Sequence, residues 1–209
     1  RNKNLSFDGK GEITFSPFLN IVFNSNIKEI NKDYFSKIDL KKLLENKDFL
    51  KRLNINQEIN FMSKRFSRNL IENLNIKFDL AYGRLSSKKK IYLKEGKIIC
   101  SNEINLIEEN PLLTFNCSIN SNNTKKFLKN FLIDYVNKKN ESLNLVIKGN
   151  FNLFKKKFNF LKIQMNDDYK ASEEDLKFFK VSFENFLVDN NPMEIFNKKK
   201  LKKFINEIL

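Results

Sequence analysis

Apolar and polar residues alternate with a period of two along much of this chain. Residues 5–15 put Leu5, Phe7, Gly9, Gly11, Ile13 and Phe15 on one side and Ser6, Asp8, Lys10, Glu12 and Thr14 on the other. Successive strand side chains point to opposite faces, so this pattern predicts an amphipathic strand. After a turn at Ser16-Pro17 the next run places Leu19, Ile21, Phe23 and Ile27 on one side against mostly asparagine, with Val22 as the exception. The two runs predict a hairpin. The alternation returns at Leu53, Ile55, Ile59 and Phe61, at Leu74, Ile76, Phe78, Leu80 and Tyr82, and at Leu143, Leu145, Ile147, Phe151 and Leu153. Two further strands are expected at 97–106, with Ile98, Ile104 and Leu106 apolar, and at 112–120, with Leu113, Phe115 and Ile119 apolar. Many of these runs exceed the usual strand length of about five or six residues.

Helical spacing punctuates the strands. Ser36-x-x-Asp39 has the form of a capping box before Leu40, Leu43 and Leu44, and Thr124 is placed to cap a short helix carrying Phe127, Leu128, Phe131 and Leu132. Ser172-Glu173-Glu174-Asp175 opens a clearer helix with Leu176, Phe179, Phe183, Phe186 and Leu187 on one stripe, and Asn190-Asn191-Pro192 stops it. Met193 to Leu209 is again helical, with lysines opposite Ile195, Phe196, Leu201, Phe204, Ile205 and Ile208. That last helix packs on the sheet or serves a membrane surface or partner.

A weak internal repeat organises these elements. Pro17-Phe18-Leu19-x-Ile21-x-Phe23 and Pro111-Leu112-Leu113-x-Phe115-x-Cys117 occupy the same place in a unit of strand, turn, strand and short helix, and a third unit runs from Leu143 through the lysine turn at 155–157 and Phe158 to Met165 into the helix at Ser172. Repeated strand pairs predict a sheet that extends by adding units. The expected fold is therefore mainly β with α (α+β): an extended, curved antiparallel sheet of long amphipathic strands, groove-like, with short inserted helices. The sheet module spans 1–170, with helices near 36–50 and 124–136, and a C-terminal helical pair at 171–209 packs on it or caps it.

Composition then narrows the function. The 209 residues carry a formal charge of +14 and are 41% hydrophobic, enough for a core. Only five of the 39 basic residues are arginines (Arg1, Arg52, Arg65, Arg68 and Arg84), and lysine, asparagine, isoleucine and phenylalanine are all in excess, the signature of an AT-rich coding sequence. Base and phosphate readers favour the bidentate arginine fork, so nucleic acid is not the expected partner. The lysine runs Lys88-Lys89-Lys90, Lys155-Lys156-Lys157 and Lys198-Lys199-Lys200 read as strand ends and turns, either simply solvated or meeting acidic lipid head groups. No run approaches the roughly 18 apolar residues of a membrane span, and no signal peptide is evident. The first residue is Arg1, so the chain reads as a segment or processed product whose anchor lies elsewhere.

The chain has no histidine, which removes the commonest general base and metal ligand and argues against an enzyme. Asp167-Asp168 reads as a loop and Glu173-Glu174 as a helix N-terminus, not as catalytic pairs. Gly9-x-Gly11 lies within a strand, where it permits a bulge or sharper twist, and Gly83 ends one; neither forms a phosphate loop. No catalytic residue, metal or cofactor is expected. Cys100 and Cys117 have numbers summing to 217, so a turn near Glu108-Glu109 would set them directly opposite each other. Two readings stay open, a pair of buried small apolar side chains or a disulfide in an oxidising compartment.

Leu70-Ile71-Glu72-Asn73-Leu74 through Tyr82-Gly83-Arg84-Leu85, Gly96-Lys97-Ile98-Ile99 leading into Pro111-Leu112-Leu113-Thr114-Phe115, the helical Phe127-Leu128 and Tyr169-Lys170-Ala171-Ser172-Glu173-Glu174-Asp175-Leu176 together resemble the C-terminal repeats of AsmA-like envelope proteins of the YhdP and TamB type. The resemblance implies a periplasmic protein anchored to the inner membrane, whose strands form an apolar groove carrying phospholipid between inner and outer membranes during outer-membrane biogenesis. The expected lipid-facing side chains are Phe7, Ile13, Phe15, Leu19, Ile21, Phe23, Ile55, Ile59, Phe61, Ile76, Phe78, Leu80, Phe115, Leu145, Ile147, Phe151 and Leu153. Expected partners are phospholipid acyl chains and an anionic membrane surface. A structural β-scaffold that binds an envelope protein by strand addition is the alternative.

Overall fold

A computed structural model of the chain describes residues 5–30, 45–62, 71–131, 133, 141–155 and 157–188. The capping box at Ser36 with Leu40, Leu43 and Leu44, the helix expected at 193–209 and the lysines at 198–200 lie outside the described residues. Ten strands form one open sheet in chain order: β1 (Leu5–Thr14), β2 (Leu19–Ile30), β3 (Leu53–Met62), β4 (Ile71–Ala81), β5 (Arg84–Leu93), β6 (Gly96–Asn105), β7 (Leu112–Ser121), β8 (Leu143–Asn152), β9 (Lys157–Met165) and β10 (Tyr169–Lys170). Among the described residues three helices accompany them: α1 (Lys47–Lys51), α2 (Thr124–Lys129) and α3 (Glu173–Val188).

The sheet is mixed rather than wholly antiparallel, because β2 and β3 run parallel, with Leu19 beside Leu53 and Ile27 beside Phe61. Parallel neighbours need a crossover of a dozen or more residues, and residues 31–52 supply that length. Two-residue turns join β4 to β5 and β5 to β6. Tyr82 and Gly83 both adopt positive φ (52° and 75°) between β4 and β5, as a two-residue hairpin with primed geometry requires.

Residues paired across strands share a face, so the register can be followed across the sheet. Phe78 of β4 faces Gln57 of β3 and Ser87 of β5; Ser87 faces Asn102, Asn102 faces Phe115 and Phe115 faces Gly149. The neighbouring row runs Ile59, Ile76, Lys89, Cys100, Cys117, Ile147 and Ile163. The opposite face carries Glu58, Asn75 and Lys77, where Asn75 donates to Glu58 Oε1 (2.6 Å) and Asn60 Oδ1 (2.7 Å) and Lys77 pairs with Glu58 (3.2 Å). The hydrogen bonds from Asn75 and Lys77 hold the Glu58 carboxyl below its ordinary pKa.

Two buried clusters lie at opposite ends of the strands. At one end Leu50 of α1, fully buried, packs with Leu53, Leu80, Ile104 and Leu106. At the other, Phe127 and Leu128 of α2 and Ile133 pack with Leu93. The N-cap of α2 is Asn123, whose Oδ1 accepts from the Lys126 N–H at 2.9 Å, and not Thr124. Thr124 sits one residue inside the helix, where its hydroxyl instead donates to the Glu141 carbonyl (2.6 Å) and ties α2 to the start of β8. Ser172 caps α3 as expected: its Oγ accepts from the Asp175 N–H (3.2 Å) while Asp175 accepts from the Ser172 N–H (2.9 Å).

Candidate functional site: the framed face of the sheet

The face that carries Phe78 is bordered by helices on three sides. The α1 cluster covers one end of the strands and the α2 cluster the other. Along the β9 edge, Phe183 of α3 meets Phe158 at 4.8 Å and Phe160 at 5.6 Å, and Phe158 stacks on Phe151 at 4.3 Å. The fourth side is β1, which has a strand neighbour only in β2. There Phe7, Ile13 and Phe15 are 45%, 59% and 79% exposed.

The seventeen expected lipid-facing residues divide under this geometry. Leu80 is buried in the α1 cluster, and Leu19, Ile21, Ile55 and Leu153 pack against it. Those five are engaged with the protein itself. Phe23, Ile59, Ile76, Phe78, Phe115 and Ile147 lie between the two ends in a partly buried band, with Phe61 and Leu145 in rows nearer the α2 end. Phe151 belongs to the aromatic group under α3.

Two aromatic rings lie close over glycines in this band. A Cβ on Gly9 or Gly11 would meet the Phe23 ring at 2.5 Å, and one on Gly149 would meet the Phe115 ring at 2.6 Å. Gly9-x-Gly11 therefore makes room for a ring rather than for the expected bulge, since the register shift in β1 falls between Ser6 and Phe7.

Cys100 and Cys117 face each other in the predicted register and are joined as a disulfide, with Cα atoms 4.1 Å apart. The pair sits mid-band, flanked by Lys89 and Ile147.

Lys88, Lys89 and Lys90 do not mark a strand end. They occupy the middle of β5, where ladders to β4 and β6 on both sides outweigh the low strand preference of lysine. Lys88 points to the polar face and is exposed, but Lys89 points into the band opposite Ile76 and Cys100. Burial pushes the Lys89 ammonium below the ordinary lysine pKa. Among the described residues no carboxylate pairs with it. Beside it on the same face are Ser87 and Asn102, and the buried Oδ1 of Asn102 has no hydrogen-bond partner. Sequence reasoning missed this polar island because three consecutive lysines read as a solvated turn; the signal was the period-two frame of Leu85, Ile91 and Leu93, which puts Lys89 among them.

The acidic pairs do not converge on the band. Asp167 and Asp168 are exposed in the turn after β9, and Glu173 and Glu174 are exposed on the first turn of α3. Among the described residues no three potential ligands gather to hold a metal ion, and no helix is long and apolar enough to cross a membrane. Comparison with protein-family models, curated proteins and solved structures finds no match to this chain.

Proposed function

We propose that this chain is a non-catalytic lipid-binding module of the cell envelope, holding phospholipid acyl chains against the band between its two helix-covered ends. The observation that carries the reading is the contrast in cover. Short helices pack both ends of the face and the longer α3 its β9 edge, while the middle rows with Ile59, Ile76, Phe78 and Ile147 stay partly accessible and lead to the exposed Phe7, Ile13 and Phe15 at β1. An acyl chain gains about 0.8 kcal/mol for each methylene it buries, so a band crossing β1 to β9 offers a substantial acyl-chain site. The sequence resemblance to AsmA-like repeats is in keeping with this reading, and under it the protein works in the periplasm, anchored to the inner membrane, with lipid moving toward the outer membrane. The excess of lysine suits contact with anionic head groups at the membrane surface.

Native mass spectrometry of protein purified gently from envelope fractions tests this. Phospholipid adducts that survive purification, and that vanish when Ile76 and Phe78 are replaced by aspartate in a still-folded protein, are the expected result. Protein that carries no lipid and takes up none from vesicles would reject it.

A second reading, a scaffold that recruits a protein by strand addition, has its own support in the edges of the sheet. The outer side of β9 is closed: the Phe158 N–H donates to Glu184 of α3 (2.8 Å), the Ala171 N–H donates to the Ile163 carbonyl (2.9 Å), and β10 pairs with Gln164 and Met165. The outer side of β1 has no such cover among the described residues, and an unpaired edge is a template for another strand. The Asn24 and Val22 carbonyls face β1 opposite Lys10 and Glu12, so the outward N–H groups belong to the alternate residues, and replacing Ile13 by proline would abolish partner capture under this reading while keeping the β1–β2 ladder.

A further inference from the structure

We propose that Lys89, with Ser87 and Asn102 beside it, is a head-group site within the band, and that its ligand is an acyl chain ending in an anionic carboxylate or phosphate. The inference deepens the lipid reading of this face and rests on it.

Covering the band exacts a cost at Lys89. The register fixes Lys89 between Ile76 and Cys100, two rows from either helix-covered end, so its four-carbon stem lies along apolar neighbours while its ammonium stays on the same face. In the free protein the Lys89 side chain is half-buried and not sealed from water, and it has no carboxylate partner among the described residues. An occupant that seals the band removes the water. If the occupant is uncharged over Lys89, an isolated cation is buried without compensation, which is strongly unfavourable. An anionic group at that point reverses the sign: it meets the cation where the dielectric is low, and a charge-assisted hydrogen bond there is stronger than a neutral one. The neighbours suit such a head group. The Ser87 hydroxyl can donate to an anionic oxygen, and the three donors of the ammonium are enough for the ligand and for the orphaned Asn102 Oδ1 together. Elsewhere in the two middle rows the register places Phe23, Ile59, Phe78, Phe115, Ile147 and Ile163, which suit the chain of the ligand, and the uncharged Gln57 and Ser25, so among the described residues Lys89 is the cation of these rows.

The test uses equilibrium binding of radiolabelled hexadecanoate, hexadecyl phosphate and hexadecanol to the whole chain. The wild type is expected to bind at least one of the two anions about tenfold tighter than the alcohol. K89M is expected to lose that preference while still binding hexadecanol, and K89R to keep it. K88M removes the same charge from the exposed opposite face and is expected to behave as wild type. Whichever anion is preferred identifies the head group as carboxylate or phosphate. An undiminished preference in K89M overturns the head-group site and leaves the lipid reading standing. Failure of all three ligands to bind the wild type rejects the lipid reading itself, and the head-group site with it. Displacement of the bound anion by inorganic phosphate alone overturns the acyl assignment and makes the site one for a free anion.

Discussion

The two ends of the framed face and its middle are built from the same strands, yet they are finished differently. At the ends, helices as short as five and six residues bring one or two large side chains each, Leu50 from α1 and Phe127 with Leu128 from α2, and these are essentially removed from water. In the middle no described helix lies over the sheet, the apolar side chains remain partly accessible, and Ser25, Gln57, Ser87, Lys89 and Asn102 interrupt them. Strand alternation alone does not distinguish the two situations, because it sets which face a residue takes and not what lies above it. Cover is what separates core from surface here.

The largest test of that contrast is a matched pair of truncations. Leu50→Ala is expected to cost about 2–5 kcal/mol, since it empties a fully buried position under α1, whereas Ile76→Ala in the band is expected to cost no more than about 1–2 kcal/mol. Urea unfolding of both variants measures the difference; equal losses would mean that the band is as well packed as the ends.

Next in size is the cross-link in mid-band. The disulfide closes a separation of 17 residues, so replacing both cysteines with serine is expected to lose about 2–4 kcal/mol. A double variant as stable as wild type under oxidising conditions would show that the strand ladders already hold β6 against β7.

The closed edge gives a smaller effect. Glu184→Ala strips the acceptor from the Phe158 N–H and is expected to cost about 1–2 kcal/mol, with concentration-dependent association as the β9 edge opens, read by light scattering. An E184A protein that stays monomeric and fully stable would contradict the capping role.

The smallest effect concerns Lys89 and pH. Burial lowers its pKa in the folded chain, so between that lowered value and the ordinary lysine value the unfolded chain binds more protons. The stability contributed by this group therefore rises with pH through that window and is lowest near neutrality. K89M is expected to be more stable than wild type at neutral pH, with the gap narrowing as the pH is raised into the lysine range. A gap that does not change with pH would assign the gain to packing alone.

Much of this fold is legible in the alternation. Leu19, Ile21 and Phe23, then Ile55 and Ile59, then Ile76, Phe78 and Leu80 fall on one face as the period requires. The sum of 217 anticipated Cys100 opposite Cys117, because a short turn at 106–111 leaves little freedom of register. What stayed hidden depends on distant neighbours. The parallel pairing of β2 with β3 is decided by a crossover and not by either strand's own residues. The place of Lys89 follows from β4 and β6 holding β5 between them, which overrides the solvated-turn reading of three lysines. The division of the expected lipid-facing residues into covered and accessible sets depends on where α1, α2 and α3 dock, and the helical patterns predicted only that helices exist.

Site-specific photocrosslinking in living cells tests most directly whether the uncovered middle of the face holds acyl chains. A photoreactive phenylalanine analogue at Phe78 and at Phe23 is expected to capture phospholipid, while the same analogue at Lys77, one residue away on the exposed opposite face, captures none. Absence of adduct at Phe78 and Phe23, or an equal yield from Lys77, would contradict the lipid reading.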